Sequence, residues 1–392
     1  MQKLNIGLFG FGVVGEGIFK VLEAKPQLNA QIKKIVIKDK NKVRNAPAEL
    51  FSVDANDILN DDSINVIVEL ISDSEAAYSI VKKAFEKGKH VVSANKKLIA
   101  EHHQELLHLQ NEHNVSFLYE ASVCGSVPII RNLEEYFDND LLNYVSGIVN
   151  GTTNYILTKM ANEKESYHDA LKAAQENGFA EADPTADVEG FDAVHKLTII
   201  TLHAFGIRIE TNQVIRKGIT SLAVNDFDYA KEKGYTIKLI ARSKISPETG
   251  ELTSTVLPTF VKLDKTIALV NNEYNGVLIG SSLSDEQFLY GKGAGRFPTS
   301  SAVLSDISAL QYDYKYSIRK KVEKDFICNQ TGFVKAYLGT SNSAIDVTKY
   351  FDEIEERYQS NTYNHAIGKI SLDNLKNEEL IRNNEISLVV FE

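Results

Sequence analysis

Six residues near the start constrain this chain more than any others: Gly10-Phe11-Gly12-Val13-Val14-Gly15. They follow a short apolar run, residues 4–9. They open a segment, residues 16–24, whose Ile18, Phe19, Val21 and Leu22 give a helical face until Pro26 stops it. A strand, a glycine turn and a helix in that order predict a dinucleotide-binding βαβ unit. The first glycine permits the tight turn, and the second lets the backbone approach a pyrophosphate. The third packs helix on strand, and the helix amino terminus faces the anion. Gly10, Phe11, Gly12, Val13, Val14 and Gly15 are the expected pyrophosphate-binding residues. A second strand, residues 32–38, leads to Asp39, where a carboxylate would receive the adenosine ribose of NAD. Lys38 and Lys40 could instead meet the 2′-phosphate of NADP, so both cofactors stay open.

The pattern continues as alternating strands and helices to about residue 130. Residues 65–71 are almost continuously apolar, as in a strand covered on both faces. A doubly wound parallel sheet follows from that alternation. Beyond it the order changes to a block of helices (residues 152–162, 167–177, 188–204) and then a block of strands, among them 237–241, 252–257, 267–270 and 276–279. This predicts an α+β domain. The expected organisation is a Rossmann-type domain over residues 1–135, with helix 298–318 packing back on it. A catalytic and dimerisation domain spans 136–297, and a small α+β module spans 322–392. In that module Ile345, Phe351, Ile354 and Tyr358 suggest a helix over 345–358, and residues 386–391 a terminal strand.

Composition removes other classes. The net charge of −10 argues against general nucleic-acid binding. No apolar run reaches the ~20 residues that span a bilayer, and no signal-peptide pattern leads the chain. Cys124 and Cys328 are too few for a disulfide framework or a thiolate zinc site, which points to a cytoplasmic setting. The nine histidines show no metal-ligand spacing; His102, His103, His108 and His113 read as surface residues of a helix.

Further segments carry a resemblance. Ser93-Ala94-Asn95-Lys96, Glu120-Ala121-Ser122-Val123-Cys124-Gly125, Asn150-Gly151-Thr152-Thr153-Asn154-Tyr155 and Gly178-Phe179-Ala180-Glu181-Ala182-Asp183-Pro184 occur in that order. Asp187-Val188-Glu189-Gly190-Phe191-Asp192 through Lys196, then Gly291-Lys292-Gly293-Ala294-Gly295, complete the series. Over about residues 4–320 the chain resembles homoserine dehydrogenase. The segments at 150–154 and 178–196 are the most specific to that family.

Asp192 and Lys196 are four apart, so they share one helix face. A random pair of this kind is a solvated ion pair. Here the helix is otherwise apolar and an acidic loop, residues 181–183, precedes it, so the pair can line a cleft. The resemblance implies that Lys196 exchanges the proton with the substrate oxygen. It implies that Glu181 and Asp192 hold the substrate's polar groups, with Gly151 and Thr152 beside them. Lys96, at the end of a sheet strand, would also reach the active site. Ser93, Lys96, Gly178, Gly293 and Gly295 are further implied cofactor contacts. Glu120, Val123, Gly125 and Val127 correspond to the family's site for a monovalent cation, Na+ or K+. Cys124 lies within that stretch without a histidine nearby in sequence to activate it, and reads as structural.

Two departures stand out. Ser72-Asp73 replace a usual glycine pair and Ala76 a usual proline. The final segment also lacks the acidic-Pro-Gly turn of the regulatory ACT domain of some relatives, so threonine feedback through it is not expected. The resemblance implies an NAD(P)-dependent enzyme interconverting L-aspartate 4-semialdehyde and L-homoserine, in threonine and methionine synthesis. A homodimer through strands at 236–280 is expected. The alternatives are another hydride-transfer enzyme acting on an amino-acid aldehyde or ketone, and a nucleotide sensor without catalysis. The retained Lys96, Glu181, Asp192 and Lys196 argue against the sensor.

Overall fold

The computed structural model describes residues 3–138, 140–246, 248–318, 320 and 332–392. The chain divides into two compact units, Met1–Glu135 with Lys292–Arg319, and Tyr136–Gly291 with Lys320–Glu392. Cys328 lies outside the described residues.

The first unit holds a six-stranded parallel sheet: β1 (Leu4–Phe9), β2 (Ala30–Val36), β3 (Phe51–Ser52), β4 (Val66–Glu69), β5 (His90–Ser93) and β6 (Phe117–Leu118). Their order is β3-β2-β1-β4-β5-β6. This is the doubly wound arrangement, and chain direction switches sides between β1 and β4. Val66, Ile67 and Val68 are fully buried because helices cover both faces. The helix Arg296–Ala309 belongs to this unit. It approaches the helix Val13–Ala24 so closely that a Cβ on Gly17 would lie 2.4 Å from Ser300 Oγ. Ser300 Oγ donates to the Val14 carbonyl at 3.1 Å.

His103 is not a surface residue. It is buried, with Nε2 2.6 Å from the Tyr119 hydroxyl. The reason is helical phase: Ile99, His103, Leu106 and Gln110 form the buried stripe of the helix Lys96–Glu112.

Among the described residues the second unit holds a ten-stranded mixed sheet. Its strands are β7 (Leu142–Ile148), β8 (Ile215–Arg216), β9 (Tyr235–Ile245), β10 (Leu252–Lys262), β11 (Tyr274–Ser281), β12 (Asp285–Lys292), β13 (Phe333–Thr340), β14 (Glu353–Gln359), β15 (Asn364–Ser371) and β16 (Ser387–Phe391). The main path runs β12-β11-β7-β9-β10-β16-β13-β15-β14, with β8 paired to β10. The helix Phe191–Phe205 lies on one face, where Thr201 Oγ1 meets Ser243 Oγ of β9 at 2.6 Å.

Two sequence expectations fail here. Residues 267–270 are not a strand but fall in a 3-10 turn, Thr266–Leu269, and the following Val270. Residues 345–358 are not a helix. A 3-10 turn, Val347–Tyr350, capped by Asp346, leads into β14. The strand is charged because it is an edge. Glu353 pairs in register with Lys369 and holds its ammonium at 2.7 Å, which protects an edge from further strand pairing. Phe351 serves the module's core, whereas Tyr358 stacks on His365 at the surface. The apolar spacing therefore did not describe one helix face.

The terminal strands are joined to the rest of the sheet. β16 runs parallel to β10, with Thr259 opposite Val390 and Phe260 opposite Phe391. Buried Lys217 donates to the Leu380 and Asn383 carbonyls at 3.2 and 2.7 Å. Ile215 and Leu257 share a core with Leu338, Leu380 and Leu388. Deleting residues 322–392 would bare the β10 edge and leave Ile215 and Leu257 without the other buried residues of this core. A loss of several kcal/mol should lower the melting temperature by about 10 °C or more. Thermal melts of the shortened and full chains check this; equal melting temperatures would show that the module adds no stability.

Candidate active site

The fingerprint glycines do separate jobs. Gly10 has φ +93°, and a Cβ there would lie 2.9 Å from the Leu70 carbonyl oxygen. A Cβ on Gly15 would lie 2.6 Å from the Gly10 carbonyl oxygen, so the third glycine is needed for helix–turn packing. Gly12 faces open space, with nothing within 4 Å of where its Cβ would be. It starts the helix Val13–Ala24 without a side-chain cap, which leaves the first backbone N–H groups for an anion. Gly12, Val13, Val14, Gly15, Leu70, Ile71 and Ala94 line a cavity of about 180 Å³. These residues fit a pyrophosphate.

The neighbouring loops are braced from beneath. Glu69, fully buried at the end of β4, accepts the Ile71 N–H at 2.7 Å and the Ser93 hydroxyl at 2.6 Å. Burial pushes its carboxyl up to about 7. Asp73, one of the two departures, turns to its own helix. Its carboxylate caps Ser74–Glu86 by accepting the Glu75 and Ala76 N–H groups at 3.1 and 3.0 Å. Asp39 is exposed and accepts the Asn41 N–H at 2.8 Å through Oδ1. Lys38 beside it is also exposed. Lys96 is half-buried at the first position of the helix Lys96–Glu112.

The four residues implied for a cation lie in one turn region of the same unit. Both Glu120 carboxylate oxygens are already used: Oε1 accepts the Ile130 N–H at 2.9 Å and Oε2 the Arg131 N–H at 2.7 Å. Burial, then the neighbouring Asp306, holds this carboxyl well above the usual carboxylate range. Each of these oxygens keeps a second lone pair, and the backbone carbonyls of the same turn add neutral oxygen donors, so the donor set present is all oxygen. Gly125 has φ +57° and sits so close to Gly293 that a Cβ would lie 2.4 Å from its carbonyl oxygen. Ser126 N–H donates to the Lys292 carbonyl at 3.0 Å. This pins the turn to the loop of Gly293 and Gly295, ahead of the helix Arg296–Ala309. Cys124 is fully buried within that turn.

In the second unit a polar cluster forms around the start of the helix Phe191–Phe205. Lys196 Nζ lies 2.7 Å from Asp192 Oδ2 and donates to the Val149 carbonyl at 2.8 Å. The two side chains are only 11% and 3% exposed, so this is not a solvated surface pair. Asn150 joins it. Its Nδ2 donates to Asp192 Oδ2 at 2.8 Å and to Asp187 Oδ1 at 2.6 Å, while its Oδ1 accepts the Thr153 N–H at 2.8 Å and caps the helix Gly151–Glu163. Gly151 leaves no room for a side chain, since a Cβ would lie 2.7 Å from the Glu273 carbonyl oxygen. Thr152 donates to the Phe179 carbonyl at 2.6 Å and ties the helix start to the acidic loop. Glu181 on that loop is exposed, and no hydrogen bond or ion pair joins its carboxylate to Asp192 or Lys196. Gly178, with φ +75°, ends the helix Tyr167–Glu176: the N–H of Phe179 returns to the Ala174 carbonyl at 2.8 Å. Asn150 and Asp187 had no assigned role in the sequence. An Asn three residues before Thr153 at a helix start was the available signal for Asn150; the meeting with Asp187 needs the fold.

Comparison with known proteins decides the family. A family model described as "Homoserine dehydrogenase" matches residues 128–308, and one for "Homoserine dehydrogenase, NAD binding domain" matches residues 10–120. Homoserine dehydrogenase of Bacillus subtilis is 37% identical over 327 residues, covering 81% of this chain and 75% of that protein. The chain belongs to the homoserine dehydrogenase family. It is an NAD(P)-dependent oxidoreductase. The crystal structure of a homoserine dehydrogenase from Thiobacillus denitrificans aligns with a TM-score of 0.87 and 28% identity, over 99% of this chain and 98% of that one. A hyperthermophilic archaeal homoserine dehydrogenase in complex with NADPH aligns with a TM-score of 0.68 and 25% identity, over 80% and 99%. Among the described residues no helix is long and apolar enough to cross a membrane.

Proposed function

We propose that this homoserine dehydrogenase interconverts L-aspartate 4-semialdehyde and L-homoserine in threonine and methionine synthesis, as a cytoplasmic homodimer joined through strands at 236–280. The observation that carries the chemistry is the buried Lys196–Asp192–Asn150 cluster. Lys196 gives a proton to the carbonyl oxygen on reduction and takes it from the hydroxyl on oxidation. Asp192 and Glu181 receive the substrate ammonium, since carboxylates suit a cation, and Asp192 orients the Lys196 ammonium. Gly151 and Thr152 border the substrate, and Lys96 supplies a second ammonium. Gly10, Phe11, Gly12, Val13, Val14 and Gly15 bind the pyrophosphate, and Ser93, Gly178, Gly293 and Gly295 add contacts. Lys38 and Asp39 read the adenosine ribose. When bound, the nicotinamide supplies or accepts the hydride. The carbonyls of Glu120, Val123, Gly125 and Val127 would hold Na+ or K+.

A screen of the purified chain with NAD and NADP against L-homoserine and other amino-acid alcohols tests the substrate. Turnover confined to L-homoserine supports the reading; preference for another alcohol contradicts it. Cofactor choice is a separate expectation. Removing a carboxylate that receives a ribose hydroxyl should shift the ratio of kcat/KM for NADP over NAD about 10-fold upward in Asp39→Ala. An unchanged ratio removes Asp39 from ribose recognition.

A further inference from the structure

We propose that Glu69 is a positioning residue for the nicotinamide half of the cofactor, because its side chain locks together the two loops that follow β4 and β5. The proposal rests on the dinucleotide reading above. In the sheet order, β2 and Asp39 lie to one side of β1, and β4 and β5 lie to the other. A dinucleotide with its pyrophosphate at the glycine turn and its adenosine ribose at Asp39 must extend its other half over the carboxyl ends of β4 and β5.

Those ends are joined by a closed circuit of hydrogen bonds. Glu69 Oε1 accepts the Ile71 N–H, and Oε2 accepts the Ser93 hydroxyl. With its proton given to Glu69, the Ser93 oxygen accepts the Asn95 N–H at 3.0 Å. Asn95 Nδ2 returns to the Ile71 carbonyl at 3.1 Å, and Asn95 Oδ1 accepts the Leu98 N–H at 3.0 Å. That last bond caps the helix whose first residue is Lys96. Ile71 and Ala94, within the two braced loops, line the cavity beside Gly12 to Gly15.

A carboxylate at this place does something that an apolar or amide side chain cannot. Buried carboxylates are costly, and among the described residues no cation pairs with this one. Among the described residues the donors to its side chain are the Ile71 N–H and the Ser93 hydroxyl. By accepting from both, Glu69 fixes which way the Ser93 proton points. The serine therefore presents a fixed hydrogen-bond polarity to whatever lies above it, and Lys96 starts from a fixed turn.

Glu69→Gln keeps size and shape but reverses one bond. The amide oxygen can still accept from Ile71, while the amide N–H₂ donates to Ser93 and turns the serine proton elsewhere. The probes are NADH, NADPH and ADP-ribose with and without its 2′-phosphate, titrated against wild type, Glu69→Gln, Ser93→Ala and the double variant. The expected result is selective. NAD(P)H binds about 10-fold more weakly to Glu69→Gln, and ADP-ribose affinity stays within about 2-fold. The homoserine KM is unchanged, kcat falls, and Glu69→Gln adds little once Ser93 is already Ala, because it acts through that serine. Should Glu69→Gln fail to fold, Ser93→Ala must show the same split between NAD(P)H and ADP-ribose. Equal affinities and kcat in wild type and variant would overturn the proposal. So would a parallel loss of NAD(P)H and ADP-ribose binding together with melting temperature. A folded wild-type chain that binds none of the four probes would instead overturn the cofactor reading itself.

Discussion

Lys196→Ala should lower kcat at least ~100-fold, because a positioned acid–base group contributes that much or more. The position of the group is the argument. Asp192 Oδ2 at 2.7 Å and the Val149 carbonyl at 2.8 Å hold the ammonium from two sides, and the side chain is nearly excluded from water. A lysine held this way has lost its rotamer freedom before substrate arrives. NAD(P)H affinity should stay near the wild-type value, since the glycine fingerprint lies in the other unit. Single-turnover kinetics and cofactor titration separate the two effects. Near-normal turnover would remove Lys196 from the mechanism.

Asp192→Ala should act on both substrate and fold. The carboxylate is 3% exposed and serves Lys196 and Asn150 together. Taking away one partner of a buried ion pair leaves the other charge uncompensated, at a cost of about 3–5 kcal/mol. The expected outcome is a clear drop in melting temperature and a fall in kcat/KM of about 100-fold or more, with much of it in the homoserine KM. Asp192→Asn keeps an oxygen for Lys196 and should recover part of the stability but little of the substrate affinity. If Asp192→Ala leaves the homoserine KM unchanged, the carboxylate holds Lys196 alone and does not meet the substrate.

Much of this architecture was legible in the sequence because it depends on local rules. The glycine fingerprint, the apolar run at Val66 to Val68 and the stop at Pro26 each specify backbone conformation or burial nearby. The Asp192–Lys196 spacing placed both groups on one helix face. What remained hidden depended on contacts distant in sequence. Asn150 and Asp187 meet across 37 positions, and Glu69 meets Ser93 across 24. Asp73 stands where a glycine is usual, and its carboxylate caps its own helix. The edge strand Glu353–Gln359 misled because a charged edge has no apolar alternation to read. His103 misled for another reason. Residue type outweighed helical phase, although the apolar Ile99 and Leu106 already marked that face as buried.

The central claim is hydride transfer between a nicotinamide cofactor and the four-carbon substrate. The most direct measurement follows the hydrogen itself. The purified chain is incubated with L-aspartate 4-semialdehyde and, in turn, each hand of C4-deuterated NADPH or NADH, and the product is analysed by mass spectrometry and NMR. The account predicts L-homoserine carrying one deuterium on its hydroxyl-bearing carbon with one cofactor stereoisomer and none with the other, and little product from Lys196→Ala. Homoserine without deuterium from either stereoisomer, or no homoserine from a folded wild-type chain that binds the cofactor, would contradict it.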